Sequence, residues 1–353
     1  MQERESNIEL MRCVLMFMIV GLHVIGLGIL WVDTPVVYGQ PNYFQSNFLE
    51  SFFVMSVNCF VLISGYFGIR ATFSKFLKFY FPIWFYSVSL YLILSIYLGF
   101  NWKSLFFYML PFLSGKYWFV KTYILLFLIS PLLNKILADI TKRQLKKIIV
   151  FGLFIFVLIP SISPFSLTND RGFGIVNFIM LYFIGFYIKK FHNSSINKYF
   201  YLWGYILSSL LIFSSNLLSA KYLSYNHGWM SRFYAYDFIL VYCSAILFFL
   251  FFKSYGYKSK TVNKVSPLVF LVYIIHEHPS VREVLYKILH CEQYYKSEFW
   301  VLHTLQCMIL IFITSIILEF VRRSVFSKLE DFIISGLNKK YLKMKLYFQN
   351  ESE

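Results

Sequence analysis

Charged side chains are scarce in this chain of 353 residues, where they make up 14% of the sequence and only 17 residues are acidic. Hydrophobic residues account for 58% of the chain, and the mean hydropathy is +0.62. A soluble domain of this length cannot bury so much apolar surface. The composition therefore excludes a soluble globular protein and predicts an integral membrane protein.

Cysteine is also sparse, and no internal repeat recurs at a fixed period. The five cysteines are scattered, without the spacing of a disulfide framework or a metal site, so we expect neither a disulfide nor a bound metal. The absence of paired halves disfavours the transporter folds that are built from them. No cleavable signal peptide is evident, because the first apolar run is long and has an acidic flank, so we expect that run to remain as a helix.

Ten apolar segments are long enough to cross a bilayer as helices. They are residues 11–30, 48–68, 79–99, 117–137, 148–163, 173–188, 199–217, 233–252, 265–281 and 299–321. If the N-terminus lies inside, the inner loops hold fourteen lysines and arginines and the outer connections eight, so the positive-inside rule places both termini in the cytoplasm. We therefore expect an all-α integral membrane protein, a bundle of about ten transmembrane helices.

The formal net charge of +16 arises from basic residues in short loops and in the C-terminal tail, where anionic lipids are nearer partners than nucleic acid. Polar stretches occur near residues 31–47, 218–232 and 282–298 and from residue 322 onward. We therefore expect one membrane domain, residues 1–321, followed by a basic cytoplasmic tail, residues 322–353. Apolar residues at helical spacing in 327–346 predict an amphipathic helix on the membrane surface, and a solvated end without fixed structure is the alternative.

Two ionisable residues, Arg12 and His23, share one face of the first predicted helix, because a step of eleven residues returns to within about 20° of the same direction and rises about 16 Å. His23 would lie about 18 Å into a hydrocarbon core roughly 30 Å thick, too deep for its side chain to snorkel. A neutral imidazole can take a proton from a hydroxyl, so His23 is a candidate general base. The structural alternatives are a histidine that bridges two helices and a salt bridge from Glu9 to Arg12.

Three further patterns have both a structural and a functional interpretation. Ser64 precedes a glycine at the end of the second segment, and a Ser-Gly step permits close helix contact or a bend. Lys75 and Lys78 lie on one helical flank, where they could bind phosphate or anchor the helix at the cytoplasmic interface. Trp118 opens the fourth segment, at a depth where aromatic residues are ordinary.

A second histidine lies near the end of the ninth segment, in the run Tyr273-Ile-Ile-His276-Glu277-His278-Pro279. Tyr273 shares a helical face with His276. Adjacent residues on a helix point in different directions, so we do not expect Glu277 to orient His276.

Taken in order, these motifs resemble those of the membrane-bound acyltransferase-3 family, over residues 9 to about 279. The most specific element is Arg12 followed after ten residues by His23. The looser elements are Ser64-Gly65-Tyr66, which resembles the family's Ser-Gly-Phe, the aromatic pair Trp118-Phe119, and Tyr273-Ile-Ile-His276, which is similar to its late Tyr-Leu-x-His. Two features depart from the pattern: Lys75 and Lys78 replace an Arg-x-x-Arg, which loses the bidentate fork suited to phosphate, and Glu9 stands where aspartate is more usual.

The resemblance implies transfer of an acyl group, usually acetyl from acetyl-CoA, to a hydroxyl of an extracytoplasmic or capsular polysaccharide or its lipid-linked precursor. His23 would deprotonate that hydroxyl or carry the acyl group briefly. The implied roles are catalysis by His23, Arg12 and Glu9, donor binding by Arg12, Lys75, Lys78 and Ser64, and acceptor binding by Trp118, Tyr273 and His276. No metal is expected, and the location would be a bacterial plasma membrane with lipids as neighbours.

A second class of function is a lipid-linked oligosaccharide transporter, that is a flippase, or a polymerase. Such a protein would also be multi-spanning, basic and rich in aromatic residues. It would be expected to line its cavity with charge from several helices, whereas here the intramembrane charge gathers on the first helix and at helix ends. The charge distribution therefore favours the transferase.

Overall fold

The computed structural model describes residues 4–30, 38–39, 41–163, 168, 170–193, 196–222 and 232–350, with the side chains of all but residues 29, 30, 283 and 345–350. Parts of the two loops predicted near residues 31–47 and 218–232 lie outside this description. Of the described residues, 82% are in helices and none is in a strand. The all-α prediction is therefore confirmed.

Short turns and breaks separate the helices of the described ranges. The helices are α1 (Ser6–Ile25), α2 (Tyr43–Phe53), α3 (Ser56–Phe67), α4 (Phe73–Leu98), α5 (Trp102–Met109), α6 (Trp118–Ala138), α7 (Lys142–Leu153), α8 (Ile159–Ile162), α9 (Ile175–Phe191), α10 (Lys198–Tyr222), α11 (Ile239–Lys253), α12 (Lys260–Val265), α13 (Val269–His276), α14 (Pro279–Ile288), α15 (Cys291–Tyr295) and α16 (Trp300–Asn350). Turns of π-helix extend α1 and α7, and a 3₁₀ turn joins α12 to α13.

Seven helical stretches in the described ranges are long and apolar enough to cross a membrane. They are Ser6–Gly28, Tyr43–Phe67, Phe73–Leu98, Trp118–Ala138, Lys142–Ile162, Lys198–Tyr222 and Trp300–Met344. This makes the chain a multi-pass membrane protein. The count of about ten is not confirmed, because the helices at the sixth, eighth and ninth predicted segments are shorter than these seven: α9 has 17 residues, α11 has 15, and the turn at Ser266–Leu268 separates α12 from α13. The cytoplasmic location of both termini stays a prediction.

Helices α3 and α9 pack at close range through two glycines. A Cβ atom on Gly65 would lie 2.2 Å from the Tyr182 carbonyl oxygen, and one on Gly185 would lie 2.3 Å from the Leu62 carbonyl oxygen. Only a residue without a side chain fits at either position, because nothing there can move except the backbone of the partner helix. The Ser-Gly step therefore serves close helix contact, and it holds the neighbouring Ser64 at a fixed place in the bundle.

Helix α1 lies between two clusters of buried hydrophobic side chains. The first cluster draws on α3, α6, α9, α10 and α11, and α1 adds residues such as Met11 and Leu15 to it. The second draws on α4, α13 and α16, and α1 adds Met16 and Val20. The polar face of α1 thus lies in the interior of the protein, where its ionisable residues contact other helices rather than lipid.

The last helix, α16, runs through residue 321 without a break and contains 51 residues. At 1.5 Å per residue it is about 76 Å long, more than twice the roughly 30 Å of a hydrocarbon core. Its C-terminal part lies beside the start of α4, where the Tyr341 ring stacks on Phe73 at a centroid distance of 4.6 Å. Phe332 is 76% exposed, as a membrane-surface helix requires. The amphipathic role of the tail and the domain boundary at residue 321 stay predictions.

Candidate active site

A cavity with a volume of ≈ 270 Å³ lies at the Arg12 end of α1. We call it the cationic cavity, because its lining includes three basic side chains and no carboxylate among the described residues. Its polar lining residues are Arg12, Ser64, Lys78, Tyr123, Ser266 and Arg323. The remaining lining is aromatic and aliphatic. Such a cavity suits a ligand with an anionic part and an apolar part.

A smaller cavity of ≈ 30 Å³ lies at the His23 end of the same helix, and we call it the histidine cavity. Its lining includes His23, Trp118, Tyr236 and Tyr273. The volume is about that of one or two water molecules. The site is therefore nearly closed in this conformation.

Three phenylalanines, Phe60, Phe119 and Phe270, line both cavities. The two cavities therefore meet at these rings, which separate the cations from the histidine. The face of α1 that carries Arg12 and His23 thus runs from one cavity to the other. The rise along the helix axis between the two residues is about 16 Å, and this is the approximate distance between the two ends of that route.

His23 is hydrogen-bonded to His276, with 2.8 Å between His23 Nδ1 and His276 Nε2. The other ring nitrogen of His276, Nδ1, lies 2.6 Å from the Val272 carbonyl oxygen. A carbonyl oxygen can only accept, so His276 Nδ1 carries a proton, and in the neutral ring His276 Nε2 is then the acceptor. It follows that His23 Nδ1–H donates to His276 and that His23 Nε2 holds a free lone pair.

A buried carboxylate completes this polar group. Glu277 Oε2 lies 3.4 Å from His23 Nδ1, and Glu277 Oε1 accepts a hydrogen bond of 2.9 Å from Arg282. Arg282 therefore balances the negative charge of Glu277 beside the His23–His276 pair. Glu277 lies on the Nδ1 side of the His23 ring, away from Nε2.

The two other predicted acceptor residues lie in the histidine cavity beside His23. The Tyr273 ring centroid is 6.0 Å from that of His23, and the Tyr273 hydroxyl is buried without a hydrogen-bond partner among the described residues. Trp118 stacks on Tyr236 with ring centroids 5.7 Å apart. An unpaired buried hydroxyl is costly, so Tyr273 is suited to donate to a ligand atom at this place.

His23, His276 and Glu277 could also hold a metal ion, because each offers a ligand atom and these atoms lie within 4.8 Å of one another. Two histidines and a carboxylate form a common ligand set for divalent metals. The hydrogen bonds to His276 and from Arg282 already satisfy several of these atoms without an ion. The expectation of no metal stays a prediction.

The structure brings most of the predicted donor residues together, since Arg12, Ser64 and Lys78 all line the cationic cavity. Lys75, one turn before Lys78, is exposed and does not line it. Glu9 is buried, and its carboxylate accepts a hydrogen bond from Ser266. No ion pair among the described residues joins it to Arg12, so a salt bridge between them does not explain this pair.

His276 does not line the cavity wall, as an acceptor-binding residue would, and Glu277 contacts His23. His276 is 1% exposed and lies behind His23 rather than at the cavity wall. Glu277 follows the end of α13 and lies close to His23, and no hydrogen bond or ion pair among the described residues joins its side chain to His276. The sequence contains an indication of this helix end, because the proline at 279 predicts that the helix stops just before it.

The sequence model of one protein family, described as an acyltransferase domain, matches residues 5–320. This covers nearly the whole chain. The protein belongs to the acyltransferase-3 family. The match extends beyond the range of the motifs, which ended near residue 279, and includes both cavities except for Arg323. Neither the characterised proteins nor the solved structures yielded a match to the chain.

Membership of the acyltransferase-3 family makes the chain a membrane acyltransferase. It disfavours the flippase or polymerase alternative. The geometry of the two cavities is the basis on which the donor, the acceptor and the roles of single residues are proposed.

Proposed function

We propose that this acyltransferase moves an acyl group, acetyl in the first instance, from cytoplasmic acyl-CoA to a hydroxyl of an extracytoplasmic carbohydrate. The observation that carries the proposal is the free lone pair on His23 Nε2, at the far end of a route that starts in the cationic cavity. That arrangement supplies a base, a place for an anionic donor and a connection between them.

The donor would place its phosphates in the cationic cavity, near Arg12 and Lys78. CoA carries its acyl group at the end of a long, flexible and largely apolar arm, remote from its phosphates. The three phenylalanines, Phe60, Phe119 and Phe270, offer an apolar passage for that arm between the two cavities. Because the histidine cavity holds only ≈ 30 Å³, these rings must move when the thioester enters.

The chemical step is general-base catalysis by His23. His23 Nε2 takes the proton of the acceptor hydroxyl while that oxygen attacks the thioester carbonyl carbon. The carbon–sulfur bond then breaks, and the thiolate of CoA receives the proton from His23. During the attack the His23 ring becomes positive, and the hydrogen bond from Nδ1–H to His276 then strengthens.

The carbonyl oxygen that becomes negative in this step needs a hydrogen-bond donor. The unpaired Tyr273 hydroxyl in the same cavity can supply it, as hydroxyl groups do in other oxyanion sites. Arg12 lies about 16 Å from His23 along the helix and is too distant for that task. We therefore assign Arg12 to donor anchoring.

The acceptor would approach from the side of Trp118 and Tyr236, whose stacked rings form one wall of the histidine cavity. A capsular or other surface polysaccharide, or its lipid-linked precursor, fits this direction because positively charged loops predict the other end of α1 to be cytoplasmic. The location proposed for the protein is accordingly a bacterial plasma membrane.

The experiment measures transfer of labelled acetyl from acetyl-CoA to surface glycan in membranes that contain wild type, His23→Ala or Arg12→Ala at matched expression. General-base catalysis contributes about 10²- to 10⁴-fold, so His23→Ala should lose that much turnover while the protein remains inserted. His290→Asn, a change at an exposed histidine outside both cavities, is the matched control and should retain activity. Undiminished transfer by a well-expressed His23→Ala would refute the assignment.

A further inference from the structure

Arg323 lines the cationic cavity, although it lies beyond residue 320, where the match to the acyltransferase-3 family ends. It belongs to the segment of α16 that composition alone assigned to a cytoplasmic tail. No motif of the family resemblance includes it. Its place at the cavity comes from the unbroken course of α16.

Two hydrogen bonds hold the Arg323 guanidinium in a fixed orientation. Nε donates to Glu319 Oε1 at 2.6 Å, and Nη2 donates to the Pro267 carbonyl oxygen at 2.8 Å. Pro267 itself lines the cavity. No hydrogen bond among the described residues uses Nη1, so its two N–H groups are available to a ligand.

The support beneath Arg323 is buried and rigid. Glu319 is 0% exposed and accepts further hydrogen bonds from Arg322 at 2.8 and 3.0 Å and from the Tyr86 hydroxyl at 3.1 Å. Arg322 is also paired with Glu330 at 2.9 Å. An arginine whose side chain is already ordered loses little entropy when it binds an anion.

Arg12, a second basic residue of the lining, also has an unpaired donor. Its Nε atom is buried and has no hydrogen-bond partner among the described residues. Lys78 adds a third positive charge to the lining, although it also reaches Asp331 at 3.5 Å. A buried cationic donor without an acceptor is unfavourable, so a ligand with anionic oxygens would relieve it.

We infer that Arg323 binds the phosphate groups of the acyl donor together with Arg12 and Lys78, so that the last helix completes the donor site. This inference rests on the proposed function for the identity of the donor. The planar guanidinium offers phosphate the bidentate geometry that is lost where Lys75 and Lys78 replace the family's arginine pair.

The test compares two donors in transfer assays with the full-length protein: acetyl-CoA and acetyl-pantetheine, which has the same thioester arm without phosphates. Arg323→Gln should raise the KM for acetyl-CoA about five- to tenfold at low ionic strength, and less at high salt, because the side chain is partly exposed. The KM for acetyl-pantetheine should not change. Arg323→Lys should recover part of the loss, since it restores the charge without the fork.

Lys328→Gln is the matched control, since it removes a positive charge from an exposed position of the same helix outside the cavity. An equal change in KM for both donors, or none for either, would overturn the inference. Binding of adenosine 3′,5′-bisphosphate, measured by calorimetry, separates the two proposals. Arg323-dependent binding without acyl transfer would contradict only the proposed function, whereas binding that is unaffected by Arg323→Gln would contradict the role of Arg323.

Discussion

His276 is expected to act through His23 rather than on a substrate, and its replacement tests the hydrogen-bond chain directly. His276→Ala removes the acceptor of His23 Nδ1–H and leaves only Glu277 Oε2 near this buried donor, at 3.4 Å, which is too long for a good hydrogen bond. A buried group left unpaired costs about 1–3 kcal/mol. If that cost falls on the transition state, where the His23 ring is positive, kcat should drop about 5- to 150-fold. The loss is smaller than for His23→Ala, because the base itself remains.

The assay measures kcat and KM for acyl transfer separately with purified protein. KM for the acyl donor should stay near the wild-type value, since His276 does not line either cavity. His276→Gln should lose less than His276→Ala, because its amide oxygen can still accept from His23 Nδ1–H. Wild-type kcat in a folded His276→Ala, or a change confined to KM, would refute the assignment of the hydrogen-bond chain.

Two further predictions concern the donor site and the helix packing. Lys78→Gln should raise the KM for acyl-CoA several-fold while Lys75→Gln does not, because Lys78 lines the cationic cavity and Lys75 does not. Steady-state kinetics of the two variants measure this difference. Equal effects would contradict the assignment of Lys78 to the cavity. Gly65→Ala should destabilise the protein by about 1–3 kcal/mol, because its Cβ would meet the Tyr182 carbonyl oxygen at 2.2 Å. Thermal unfolding in detergent measures this against Gly256→Ala, whose Cβ would meet nothing within 4 Å, and equal midpoints would contradict the close packing of α3 and α9.

The sequence predicted the helical membrane fold well, because apolar length and helical period are local properties of the chain. The predicted count of about ten spanning helices is not confirmed at the places where backbone breaks decide the length of a helix. The Ser266–Leu268 turn contains a proline that ends one helix and begins the next, and α11 is shorter than the apolar run around it. Hydropathy averages over such breaks and therefore does not detect them.

The site was predictable where its residues share one helix and not where they meet through packing. Arg12 and His23 lie on one face of α1, and that relation follows from helix geometry alone. The hydrogen bond from His23 to His276 joins residues far apart in the chain. Arg323 reaches the cationic cavity because α16 continues past its apolar segment, and composition gave no reason to place a tail residue there. Side-chain contacts between distant helices need the fold before they can be found.

Two residues of α1 have separate functions in the proposed mechanism: His23 carries out the chemistry and Arg12 anchors the donor. The most direct measurement is acyl-transfer rate against acyl-CoA concentration for His23→Ala and Arg12→Gln, each purified and checked for folding. We expect His23→Ala to lose about 10²- to 10⁴-fold in kcat with little change in KM, and Arg12→Gln mainly to raise KM. If His23→Ala kept its kcat, or if Arg12→Gln lowered kcat as far as His23→Ala with KM unchanged, the assignment of these separate roles would be wrong.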